Sequence, residues 1–279
     1  MQKNNLKLVG LIFLSYFLCS GTITAVEIFF NKDFFYPGDT LSVKVVQSLG
    51  TTEPIKCFWN GGEYPILPIG EGSTRALLPI PANINPGKNE LLVSIPQETE
   101  RKHLIEVRAK KFPEERIAFP REKTDLYNLP ENEKQRELIL NTLKTVSEKQ
   151  QWQGKFILPT SGKFSSVYGV HRSTENFHKG IDISTKIYTS VFSPNRGIVI
   201  LATQLNLQGN TVIIDHGQGV CTVYYHLSSL AVKSGQVVEK GDKIGEVGDT
   251  GLATAPHLHW GLYIHGEAVD PLVWIKEEF

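Results

Sequence analysis

Ala255-Pro256-His257-Leu258-His259-Trp260-Gly261-Leu262-Tyr263-Ile264 carries the reading of this chain. From Trp260 onward the run is aromatic and β-branched, the composition of a pleated, half-buried strand. Side chains at i and i+2 of a strand lie on one face, so His257 and His259 are expected to point the same way. Two histidines on a strand face are common without any function. The pair gains meaning from what the rest of the chain sets beside it.

Upstream, His178-Lys179-Gly180-Ile181-Asp182 places a histidine and a carboxylate four residues apart. That spacing could share a helical face, but Gly180 and the alternation Ile181-Asp182-Ile183 predict a loop entering a strand. Between the two segments, Val220-Cys221-Thr222-Val223-Tyr224-Tyr225-His226 is a strand pattern ending in a histidine. Four histidines and one aspartate in three β segments form a convergent set. A catalytic zinc site takes three N or O ligands and keeps a fourth position for water. This set supplies three ligands with two imidazoles left over.

Further motifs stand in order around these: Gly209-Asn210-Thr211-Val212 running to Asp215-His216-Gly217, Tyr224-Tyr225-His226-Leu227, Gly248-Asp249-Thr250-Gly251 and Val269-Asp270-Pro271. With them, the run from Phe156 to Trp274 resembles the lysostaphin/LytM-type zinc metallopeptidase family. The resemblance implies an open groove floored by antiparallel sheet. It implies one zinc per chain on His178, Asp182 and His259, with His226 and His257 as the catalytic pair beside it. It also implies zinc-activated water hydrolysing peptide bonds in peptidoglycan, at cross-links or stem peptides. A non-catalytic peptidoglycan-binding or amidase-activating module of the same fold is the alternative, and retention of all five positions favours the enzyme. Two residues depart from the family pattern: Tyr225 stands where a small residue is more usual, and Ala255 where glycine is. Strand parity predicts that Tyr225 faces away from His226 and packs behind the sheet.

Basic and acidic residues balance at 29 each, which gives no reason to expect nucleic acid as a partner. The expected partner is the peptidoglycan peptide, with regulatory wall or envelope proteins as further candidates. Residues 1–25, with Lys3 and Lys7 ahead of an apolar run from Leu8 to Cys19, read as a secretory signal. This predicts a periplasmic or cell-surface protein that contacts membrane only if that segment stays uncleaved. From 26 to 112, short β runs between turns such as Tyr36-Pro37-Gly38-Asp39 and Asn85-Pro86-Gly87 predict an immunoglobulin-like β-sandwich with Trp59 in its core. Residues 113–153 read as a linker with an amphipathic helix near 131–149, its Ile139, Leu143 and Val146 stripe packed on a domain. Residues 154–279 complete a mainly β chain as the peptidase-like domain, expected to fold and act without the upstream part.

Smaller expectations complete the reading. Cys57 and Cys221 are predicted to be separate buried thiols. His171 and His265 are expected in solvent, His103 in the other domain, His216 in a structural turn, and Tyr168 along the groove. Val232 to Gly245 resembles the half-motif of biotinyl and lipoyl carrier domains, but without an exposed hairpin lysine it reads as ordinary hairpin architecture.

Overall fold

The computed structural model describes residues 26–47, 55–70, 72–96, 99–116, 119, 121–173 and 176–279. The signal expected at 1–25 lies outside the described residues. Among the described residues, no helix is long and apolar enough to cross a membrane. The protein is mainly β, and its named strands pair antiparallel.

The N-terminal part holds two four-stranded sheets. One runs Val26–Phe30, Thr40–Gln47, Ser73–Pro79, Leu67–Gly70; the other runs Gly62–Pro65, Lys56–Trp59, Gly87–Ser94, Arg101–Val107. Alternate residues of both sheets, Leu41, Val43 and Val45 from the first and Cys57, Trp59, Leu91 and Val93 from the second, meet in one core. Trp59 is buried there and donates its indole N–H to the Pro79 carbonyl at 2.9 Å, so its one polar atom is satisfied. Cys57 and Cys221 are buried free thiols.

Among the described residues, the C-terminal part holds a large sheet of ten strands and a separate two-stranded pair, His171–Ser173 with Asn176–Phe177. The spine of the large sheet runs Val237–Val238, Gly197–Leu205, Gly209–Asp215, Val220–Leu230, His257–Ile264, Ile181–Ser184, Lys163–Ser166. The alternation in Ile181-Asp182-Ile183-Ser184 buries both isoleucines fully in the core. Leu258 and Trp260 do the same for the neighbouring strand. The polar members of both strands are thereby turned to the opposite face, where Asp182 pairs with His259 and Ser184 with His257. The carrier-like stretch contributes two short strands to this sheet, one beside Gly197–Leu205 and the other, Lys243–Val247, beside Val220–Leu230.

The connecting segment departs from expectation in three ways. Its helix spans Asn132–Leu143, with Ile139 and Leu143 buried and Val146 exposed beyond its end. That end is closed by the Lys144 N–H on Asn141 O, and beyond it Ser147 donates to the Asp215 carboxylate. A short helical turn, Arg121–Thr124 followed by Asp125–Asn128, precedes it, and Lys123 donates to the Asp249 carbonyl at 2.6 Å. Finally, the segment is threaded into the large sheet. Phe112 packs in the C-terminal core, and a side chain at Gly169, whose φ is +82°, would meet the Phe112 ring at 2.2 Å. Trp152 and Phe156 share a further apolar cluster with Trp274, Val220 and Leu77, the last from the N-terminal sheets. Arg75 donates to Gln150 and Gln218, and Trp274 donates to Thr40 at 3.0 Å. The peptidase-like part is therefore clasped along one side by upstream residues.

Candidate metal centre

Three donor atoms converge on the polar face of the large sheet. His178 Nε2 lies 3.0 Å from Asp182 Oδ1 and 3.0 Å from His259 Nδ1, and His259 Nδ1 lies 2.9 Å from the same Asp182 oxygen. All three residues are buried. His178 comes from the loop entering Ile181–Ser184, as Gly180 predicts. A side chain at Gly180 would meet the Trp260 carbonyl at 2.5 Å, so only glycine lets that loop lie against the neighbouring strand.

The chemistry of the donors fits a cation. His178 Nδ1 faces the Val167 carbonyl at 3.0 Å, and a carbonyl only accepts. Nδ1 therefore carries the proton and Nε2 turns a lone pair to the centre. A tetrahedral zinc with bonds of about 2.0–2.1 Å sets donor-to-donor edges of about 3.3 Å, close to the triangle found. Burial pushes the His259 imidazole down to about 4, so it is neutral and able to donate its lone pair near pH 7. Burial by itself would raise the Asp182 carboxyl, but the His178 and His259 rings facing it hold it well below the usual carboxylate range. Arg172 donates to the other carboxylate oxygen, Oδ2, at 2.8 Å.

His226 and His257 stand beside this triangle with ring centroids 4.8 Å apart. His257 Nε2 is 3.9 Å from Asp182 Oδ1. Each ring is oriented by a backbone carbonyl: His226 Nδ1 donates to Thr250 O at 2.9 Å and His257 Nδ1 to Ala255 O at 2.8 Å. Both therefore keep Nε2 as the free basic nitrogen. Burial and the adjacent His257 imidazole push the His226 pKa down to about 3. The glycine motifs explain how Thr250 is placed. A side chain at Gly209 would meet the Thr250 backbone at 2.5 Å, and one at Gly251 would meet the Gly209 nitrogen at 2.3 Å, so the two loops interlock backbone against backbone. Thr250 Oγ1 also donates to Leu227 O at 2.7 Å.

All five predicted residues thus meet in one place. Several other expectations are corrected. Tyr225 does not pack behind the sheet. It pairs in register with His259 and stacks on that ring, centroids 5.2 Å apart and planes 7° apart. Parity fails because His226 adopts φ +63° and the strand register shifts on both sides of it, so neighbours 225 and 226 both reach the site. Tyr168 is buried and donates to Ala268 O at 2.9 Å, so it does not line the groove. His171 is wedged against Phe112 and Phe177, and His265 against Tyr64 of the N-terminal sheets, so neither is free in solvent. His216 is fully buried as a structural residue, held by Arg196 O and Thr222 Oγ1, each at 2.8 Å. His103 packs on Phe30 in the N-terminal part. Sequence reasoning missed the roles of Arg172 and of the Thr250 carbonyl; no spacing rule links either to its partner.

The pattern of peptidase family M23 matches residues 176–271. The chain is similar to an uncharacterized metalloprotease of Haemophilus influenzae, 46% identical over 96 residues, which is 34% of this chain and 20% of that protein. It is similar to the peptidoglycan DD-endopeptidase ShyA of Vibrio cholerae, 40% identical over 95 residues, 34% of this chain and 22% of that one. The chain therefore spans about a fifth of the length of these curated relatives. Among solved structures, a candidate M23 peptidase from Pseudomonas aeruginosa aligns over 88% of this chain and 95% of its own, with TM-score 0.65 and 26% identity.

Proposed function

Starting from a chain that carries a peptidase family M23 domain, we propose a zinc metalloendopeptidase that hydrolyses peptide bonds in peptidoglycan, at the cell surface or in the periplasm. The observation that carries this reading is the convergence of His178 Nε2, Asp182 Oδ1 and His259 Nδ1 with two oriented imidazoles beside them. One zinc per chain would be held by those three residues. Bound zinc supplies a water of lowered pKa, about 7, and polarises the scissile carbonyl. His226 and His257 present Nε2 lone pairs on the same side. One can take the water proton, and the protonated imidazole can return it to the leaving amine. The depressed His226 pKa keeps that ring neutral at the start, which is what makes a first transfer to it possible. Arg172 leaves Asp182 Oδ1 to the metal by occupying Oδ2.

Metal analysis of the full chain, with turnover of isolated peptidoglycan, tests the proposal. Expected are one zinc per chain and hydrolysis lost on chelation, with both lost in His178→Ala. A wild-type chain that binds no zinc, or that binds zinc and leaves peptidoglycan peptide bonds intact, contradicts it.

A further inference from the structure

The segment read as a linker enters the site described above. Phe112 is locked against Gly169, Glu114 bridges to His171, the Glu115 N–H donates to His171 O at 2.9 Å, and the His171 N–H donates to Pro113 O at 2.8 Å. This backbone pairing sets Glu115 at a fixed place beside Ser166 and Arg172. There its Oε2 accepts from Ser166 Oγ at 2.8 Å and lies 3.9 Å from Arg172 Nε.

Two short relays run from that carboxylate to two of the three donors. Ser166 has one hydroxyl proton, and Glu115 takes it. The Ser166 lone pairs are then turned to His178 Nδ1, 3.2 Å away, which donates to them as well as to Val167 O. This holds the tautomer that frees Nε2. In the second relay Arg172 spans Glu115 and Asp182, its Nη2 on Asp182 Oδ2 at 2.8 Å. Arg172 Nε is buried with no hydrogen-bond partner, and Glu115 faces it. Partners of this kind orient metal ligands and raise their basicity.

We infer that Glu115 is a positioning residue of the metal site, holding His178 through Ser166 and Asp182 through Arg172. It lies outside residues 176–271, so the site is completed by upstream chain. The inference rests on the zinc reading given above.

The test is zinc affinity of the full-length chain, stripped of metal and titrated in competition with a chromogenic chelator, alongside its thermal unfolding midpoint without metal. Glu115→Ala is expected to weaken zinc binding by about 10- to 100-fold. Glu115→Gln, which keeps an acceptor for Ser166 and loses the charge facing Arg172, is expected to lie between it and the wild type, by more than about threefold. The metal-free unfolding midpoint of Glu115→Gln should match that of the wild type, which a merely structural role would not predict. Zinc affinity of Glu115→Gln within about twofold of the wild type overturns the inference, and it decides the matter if the alanine variant fails to fold. A wild-type chain that takes up no zinc removes the metal site itself, an outcome distinct from a wild type that binds and a variant that binds equally.

Discussion

Tyr225 lies flat on His259, ring planes 7° apart and centroids 5.2 Å apart, so the wall of the metal triangle on that side is an aromatic ring. Stacking of this kind fixes ring orientation and excludes water from a donor. We predict that Tyr225→Ala destabilises the metal-free chain by about 2–4 kcal/mol, since it removes a packed aromatic ring. Tyr225→Phe keeps the ring and should retain stability. Urea unfolding measures both. Equal stability of the alanine variant and the wild type would show that the stack contributes nothing.

His226 and His257 each have Nδ1 committed to a carbonyl and Nε2 free. Neither belongs to the metal triangle. His226→Ala and His257→Ala are therefore predicted to keep zinc while losing on the order of 10²- to 10⁴-fold in turnover, the usual contribution of a positioned acid or base. Metal content and peptidoglycan hydrolysis, measured on the same preparations, separate the two roles. Near-normal turnover in either variant would exclude that residue from proton transfer.

Burial pushes the His216 imidazole down to about 4. The unfolded chain, titrating near about 6.5, takes up its proton first as pH falls. Stability from keeping this ring neutral is thus complete above about pH 6.5, is lost as pH falls toward about 4, and amounts to about 3 kcal/mol. In His216→Gln the loss of stability between those values should be shallower by about that amount. Urea midpoints at several pH values test it, and parallel profiles for variant and wild type would refute it.

A fragment begun at Gly154 holds all five candidate site residues, and the sequence alone suggests that it should suffice. Its cores say otherwise. Phe112, Ile139, Leu143 and Trp152 are buried in them, and such side chains are worth about 2–5 kcal/mol each on truncation. The fragment is predicted to unfold at a lower temperature than one begun ahead of Phe112. Scanning calorimetry on the two will tell, and matching midpoints would mean that the upstream packing is dispensable.

What was legible in the sequence was whatever a local period encodes. Alternation around Asp182 and around His259 placed both side chains on one sheet face, and Gly180 marked the loop that brings His178 to them. What was not legible depended on contacts that no period reaches. Glu115 meets Ser166 and Arg172 through a bridge to His171, and Lys123 finds Asp249 across more than a hundred residues. The Tyr225 error had a different source: parity holds only while φ stays in the β region, and nothing in Tyr225-His226-Leu227 announces a left-handed residue. The helix ends at Leu143, short of Val146 in its apolar stripe, and beyond it Ser147 meets Asp215.

The left-handed backbone at His226 makes demands on its occupant apart from the ring. Most L-residues pay roughly 1–2 kcal/mol there, while histidine and asparagine are among those that visit it most readily. Replacing His226 by alanine therefore changes two things at once, the imidazole and the ease with which the chain turns to present the Leu227 carbonyl to Thr250. Asparagine removes the imidazole and tolerates the turn. The difference between the two substitutions measures the backbone's share of the deficit, and asparagine isolates the share that belongs to the imidazole.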